Sequence, residues 1–494
     1  MIDGPVPCLL ALWAVGFVAA RRLVRGAGSP MVLSQLEAAG LAPAIGALLA
    51  STSFFFAAFV TDRGVTRTTW SVAFAFVAVA FVLLTHRRGP VAEPRLPAIG
   101  GSAPAAIAAM ITLVLVLVTL AVADIEAMPS WPHGQGDAQA IWNARARLLT
   151  RADGDWADRF HAIELGHLDY PLLLPGTIAT LWMWSGTEGV MYPQAIAVLF
   201  HIGLALVVFT SAWRFGGPLA AALATPFVLW TPHVLFTSLA QLADLPLALF
   251  LLVAWSGLAS LRLEDPGRRA SALAVGAALS GLAWTKNDGI VWAALLAGLW
   301  AVMEAVRHRG PVLRRDLGPL LRAAAPVVVA LVFFKLSWAP ASDIVRDLDA
   351  GLLRDLGSWE RWRGSLGGVA RELSLASSLD WPGIASGHPP TQEVARWAGA
   401  WLALGAALVL GVRRRGLRGA RDLAYGAWSL GALLAAIVVV YVLTPLDPSW
   451  HIQTSMSRLL LHAYPAIVVW VVSAVARSRG ESGTAVTIHE PMAA

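Results

Sequence analysis

The sequence predicts an all-α polytopic membrane protein of about thirteen transmembrane helices, with a large outer loop carrying short interfacial helices. Three observations support this. Of 494 residues, 57% are hydrophobic and only 14% charged, against roughly 25% charged in soluble domains. Uncharged windows of roughly 16 residues or more recur along the chain, and about 20 apolar residues suffice to cross the hydrocarbon core. Finally, the basic residues cluster in the short connections between those windows.

In order, the windows are 5–20, 38–60, 69–85, 105–123, 190–212, 216–232, 244–261, 271–285, 289–303, 323–340, 397–412, 424–443 and 459–476. The first ends at Arg21, Arg22 and Arg25 and has Asp3 where a secretory signal would carry positive charge, so it reads as a retained span. Loops on the cytoplasmic side are enriched in positive charge. With the N-terminus outside and the C-terminus inside, 22 of the 35 arginines fall in cytoplasmic connections. Ten of the other thirteen lie in two long outer loops, 124–170 and 341–396, where the rule is weak. This reads as a multi-pass protein of the plasma membrane with its working face outside.

The net charge of +6 does not mark a nucleic-acid binder, because the cations punctuate spans and do not line one face. A lone cysteine, Cys8, excludes an internal disulfide framework and a cysteine-based zinc site. P-loop, HExxH and GxSxG patterns are absent. Asp153-Gly154-Asp155 lacks a βαβ setting and reads as a loop turn. The organisation read from the chain is three leading spans with a Pro/Gly/Arg linker in 1–104, a core in 105–476 whose outer loops are 124–189 and 341–396, and a disordered cytoplasmic tail in 477–494. The apolar segment Pro171 to Trp184 is short and is expected to lie along the outer interface.

Ionisable groups near a membrane are costly and call for a reason. In this topology Asp137, Asp169, Asp244, Lys286, Asp288, His451 and Arg458 all gather on the outer side, as a cavity open to the outer leaflet would require. Asp137 could cap a helix or act as a base towards a hydroxyl, with Arg145 or Arg147, but not both, facing an anion. Asp169, beside Tyr170, could be a turn residue or face the cavity, and Asp244 could answer only to a helix dipole. Lys286-Asn287-Asp288-Gly289 is a tight polar connection holding one of only two lysines. Arg458 could snorkel or could grip a phosphate, with His451 assisting. His201, His233 and His462 lack partner spacing and read as packing residues.

Taken together, Gly-Asp-Ala-x-x-x-Trp-Asn-x-x-Ala-Arg, with the sequence's own Gly136-Asp137 and Trp142 in it, then Asp-Tyr-Pro-Leu, Ala-Asp-Leu-Pro-Leu-Ala, Trp-Thr-Lys-Asn-Asp-Gly and a closing Thr-Pro…His…Ser…Arg…Pro resemble the GT-C superfamily of integral membrane glycosyltransferases, which includes protein O-mannosyltransferases and lipid A aminoarabinose transferases. The resemblance covers about 105–476. It implies transfer of a sugar from a polyprenyl-phosphate carrier to a cell-envelope glycan, lipid or protein acceptor at the outer face; with Asp137 deprotonating the acceptor hydroxyl, the expected outcome is inversion. It implies Asp137 as the catalytic acid residue of the first outer loop. Arg145, Lys286, Arg458 and His451 are then expected at the donor phosphate, and Asp169, Tyr170, Asp244, Asp288 and Trp142 around the sugar or acceptor. No cofactor is certain on this reading; a divalent metal is left open but is not indicated. The competing reading is a transporter or flippase of a polar lipid or lipid-linked sugar, which would carry charges to the midplane or to both sides.

Overall fold

The computed structural model describes residues 5–24, 31–61, 64–86, 102–162, 166–261, 268–308, 311–341, 352–374, 397, 399–415 and 424–477. The expected linker is described only at its edges, and the expected tail and most of the loop 341–396 lie outside these residues. All regular structure among them is helical. In chain order the helices are α1 (Pro5–Val24), α2 (Met31–Val60), α3 (Arg67–Leu84), α4 (Ala103–Ala127), α5 (Ala144–Arg151), α6 (Trp156–Ala162), α7 (Leu173–Ser185), α8 (Met191–Leu229) and α9 (Pro232–Leu239). There follow α10 (Asp244–Leu261), α11 (Arg268–Thr285), α12 (Asn287–His308), α13 (Pro311–Ser337), α14 (Leu352–Gly357), α15 (Trp359–Leu373), α16 (Ala400–Arg415), α17 (Ala424–Leu443) and α18 (Pro448–Arg477).

Ten of these helices are long and apolar enough to cross a membrane: α1 to α4, α8, α10, α12, α13, α17 and α18. The protein is therefore an all-helical, multi-pass membrane protein. Three of the thirteen expected windows do not appear as separate members of that set. Of the first, 216–232, residues 216–229 belong to α8, whose backbone leaves the helical region at Gly217 (φ 78°), immediately before Pro218. Gly216 lies against Ser473, near the end of α18, whereas Thr231 bonds Tyr464, nine residues earlier on α18, at 2.8 Å. The chain thus turns back at Gly217 through a conformation that glycine adopts at little cost. The second window, 271–285, is α11, diluted by Ala, Gly and Ser yet buried along nearly its whole length. Small residues let membrane helices approach closely. A Cβ on Gly276 would stand 2.1 Å from the backbone oxygen of Leu320 on α13. Gly276→Ala should therefore wedge α11 from α13 and cost about 1–3 kcal/mol, read as a lowered unfolding midpoint in detergent. The third window, 397–412, holds only the shorter apolar stretch Ala400–Leu410.

The leading helices pack into the same bundle as the rest. α2 is buried from Gly40 to Phe55, and Gly40 and Gly203 bring it against α8. Ser51 of α2 accepts a hydrogen bond from the Trp284 indole of α11 at 3.0 Å. The expectation for the segment Pro171 to Trp184 is corrected by this packing. Residues Leu173 to Trp182 of α7 are buried, Gly176 sits against Ser51, and the Thr177 hydroxyl donates to the Ala47 carbonyl at 3.2 Å. An apolar helix with no polar face gains more by burial among helices than at a headgroup boundary.

Candidate functional site

The start of α10, the junction of α11 with α12, the first half of α18 and the loop after α4 meet at one end of the bundle. Asp244 is the first residue of α10 and is wholly buried. Both of its oxygens are engaged. Oδ2 receives Arg458 through Nε at 2.9 Å and Nη2 at 2.8 Å. Oδ1 receives Lys286 Nζ at 3.3 Å and lies 2.8 Å from His462 Nε2. Lys286 is the single residue between α11 and α12, and it also reaches Asp288 Oδ2 at 2.9 Å. A buried carboxylate is tolerable only when paired and hydrogen-bonded, and Asp244 meets that condition on both oxygens.

Asp137 arrives from the loop after α4. Gly134, at φ 68°, lets this loop press on Ala240, where Gln135 N donates to the Ala240 carbonyl at 3.1 Å. Asp137 then precedes a π-helical turn, Ala138–Asn143, but its side chain caps nothing. Its Oδ2 instead takes Arg458 Nη1 at 2.5 Å. Arg458 therefore bridges a buried carboxylate and one that is 39% exposed. Three of its five N–H groups are so used, which leaves two.

These groups form the polar end of a cavity of about 1040 Å³. Asp137, Trp142, Tyr170, Lys286, Asp288, His451 and Arg458 line it. The rest of the lining is mixed: Leu235, Phe236 and Leu239 of α9, Val440, Leu446 and Leu459 are apolar, whereas Gln453, Thr454, Ser455 and Ser457 of α18 are polar. His451 is held by Thr444 Oγ1, 2.8 Å from its Nδ1. Tyr170 stacks between His167, centroid 4.6 Å away, and Trp142, at 5.9 Å. Burial pushes the Tyr170 phenol above its ordinary range, so it stays protonated.

Other expected site residues lie elsewhere. Arg145 is fully buried behind the cavity wall and donates to the carbonyls of Leu168 (3.4 Å) and Tyr170, with its guanidinium over Phe160. Burial pushes this guanidinium down to about 9. It is a strut under the Asp169 loop and is not part of the cavity lining. Arg147 turns away to Glu188 and the Trp182 ring. Asp169 is also buried behind the wall, bonded by Asn287 Nδ2 at 2.5 Å, while Lys335 Nζ donates to its backbone oxygen at 2.5 Å. Asp153 pairs with Arg159 at 2.6 Å, away from the cavity. His462, expected as a packing residue, is instead bonded to Asp244; the sequence signal for this is its four-residue spacing from Arg458 on one face of a helix. Among the described residues, no group of three or more His, Cys, Asp or Glu is placed to hold a metal ion.

The chain matches no family model, no curated protein and no solved structure. The chemistry of the site must be argued from its residues. One carboxylate is part-exposed and oriented, one guanidinium keeps donors for an anion, and an apolar wall adjoins both.

Proposed function

We propose that this chain is an integral-membrane glycosyltransferase that moves a sugar from a polyprenyl-phosphate donor to an acceptor hydroxyl. The observation that carries the reading is the double character of the cavity: Asp137 and Arg458, joined by their ion pair, and in the same lining the apolar side chains Leu235, Phe236 and Leu239 of α9 with Val440, Leu446 and Leu459. A lipid-linked sugar has the same two halves. The arginine bias of the short connections assigns this end to the outer face, with the N-terminus out.

In this mechanism the acceptor oxygen attacks the anomeric carbon while the bond from that carbon to the phosphate oxygen breaks. The phosphate leaves with the bonding electron pair, and its charge is met by the unused N–H groups of Arg458. The hydroxyl proton passes to Asp137, whose Oδ1 carries no hydrogen bond among the described residues. Attack from the face opposite the leaving group gives inversion. Lys286, 7% exposed and held by two carboxylates, sets the local charge without touching the phosphate. Asp288, His451, Trp142 and Tyr170 border the sugar and acceptor.

The test is incubation of membranes with labelled polyprenyl-phosphate sugars, following release of the lipid phosphate. Asp137→Asn should lose at least about 3 kcal/mol of transition-state stabilisation, roughly 100-fold in rate, while inserting normally. Full activity in that variant removes Asp137 from the mechanism. No turnover by the natural sequence with any sugar donor removes the glycosyltransferase reading.

A further inference from the structure

His462 and Trp292 lie outside the cavity lining, one layer behind Arg458 and Asp288. Each stands four residues beyond one of them on the same helix, His462 after Arg458 on α18 and Trp292 after Asp288 on α12. Both side chains are 1% exposed. Trp292 Nε1 lies 3.1 Å from His462 Nδ1, and His462 Nε2 lies 2.8 Å from Asp244 Oδ1. An indole N–H can only donate. The lone pair of His462 must therefore be on Nδ1 and its proton on Nε2, aimed at Asp244.

We infer that His462, locked by Trp292 as the neutral Nε2–H tautomer, is a positioning residue that holds Asp244 in place and, through Asp244 and Arg458, sets the aim of Asp137. The chain of contacts is continuous: Trp292 to His462, His462 to Asp244, Asp244 to Arg458, Arg458 to Asp137. The carboxylate of Asp244 can rotate about its own bond unless both oxygens are anchored. Arg458 anchors Oδ2, and His462 with Lys286 anchors Oδ1. The lock has a second effect. Protonating His462 would place an N–H on Nδ1 against the N–H of Trp292, so the imidazole is kept from becoming a third cation beside Lys286 and Arg458. As a statement about catalysis, the inference rests on the glycosyl-transfer reading of the cavity.

Two measurements test it, one of them independent of that reading. In the first, histidine is labelled with ¹⁵N in the full chain reconstituted in lipid, and the resonance lost in His462→Gln is assigned to His462. It should show a protonated Nε2 and an unprotonated Nδ1, and Trp292→Phe should abolish that single tautomer. A protonated Nδ1 in the natural sequence overturns the lock. In the second, lipid-phosphate release is compared among variants. Glutamine can place an N–H where Nε2 stood, and asparagine is too short to reach. His462→Gln should keep kcat within about threefold of the natural sequence, whereas His462→Asn should lose about 100-fold in kcat with KM for the donor unchanged. His462→Asn with full kcat, alongside an inactive Asp137→Asn, overturns the positioning role and leaves glycosyl transfer standing. If the natural sequence transfers no sugar, the function falls, and the ¹⁵N tautomer alone decides whether the lock exists.

Discussion

Asp244→Asn is expected to be the most damaging single substitution at the site, costing about 3–5 kcal/mol of stability. The reason is the number of charges that depend on this one buried group. Arg458 gives it two N–H contacts, Lys286 gives it one and His462 a fourth. An asparagine of the same shape would turn either its NH₂ against the N–H groups of Arg458 or the same NH₂ against Lys286 and His462. Donors would face donors whichever way it flips. The buried cations would also lose part of their compensation, because Lys286 would keep only Asp288, and Arg458 only the half-exposed Asp137. Thermal unfolding in detergent with monodispersity by size exclusion reads the loss. A double variant separates stability from function. Removing the under-compensated cation with Arg458→Met in the Asp244→Asn background should restore much of the midpoint, because no guanidinium is left in the wall facing the asparagine amide. Transfer should stay abolished, since the anion clamp is gone. A single Asp244→Asn variant as stable as the natural sequence would mean that the ion pairs do not hold this end of the bundle together.

The gathering of Asp137, Asp244, Lys286, Asp288 and Arg458 was legible in the sequence because charge is expensive near a membrane. Apolar windows and arginine bias put all five at the same end of their spans, although they are separated by up to 321 positions along the chain. Sidedness locates a residue along the membrane normal only. It does not say which way the residue points within that layer. This is why Arg145 was expected at the donor phosphate: nothing in Ala144-Arg145-Ala146-Arg147 shows that the first arginine folds under the loop to bind two carbonyls. The same limit hid His462, since Trp292 of α12 becomes its partner only once the bundle is folded. Composition misled in a different way for α7. Thirteen residues are too few to cross a bilayer, so an interfacial position was the economical reading, but a helix this short can be buried whole when α2 offers Ser51 and Ala47 at a close approach. The count of spans differs for a related reason, since α11 is enclosed by protein and need not be apolar enough to face lipid.

Arg458→Lys is the second large effect, and it tests geometry apart from charge. Lysine keeps the positive charge and much of the length, so a site that needed only a cation would tolerate it. The guanidinium here does more than neutralise. Through Nε and Nη2 it holds one oxygen of Asp244, and through Nη1 it holds Asp137, so a single planar group fixes two carboxylates at a set distance and still has N–H groups to offer an anion. An ammonium is a point charge with three donors and cannot reproduce that fork. Placed between Asp244 and Asp137, it would have at most one donor left for a phosphate. Arg458→Lys is expected to retain most of its stability, because the buried carboxylate keeps a counter-charge, and to lose about 100- to 1000-fold in lipid-phosphate release. Single-turnover kinetics on membranes would separate the two. A loss confined to the chemical step, with donor affinity nearly kept, fits a clamp that acts on the departing phosphate. If Arg458→Lys transfers sugar at the natural rate, Arg458 serves only as a counter-ion, and the departing phosphate must be stabilised by other groups.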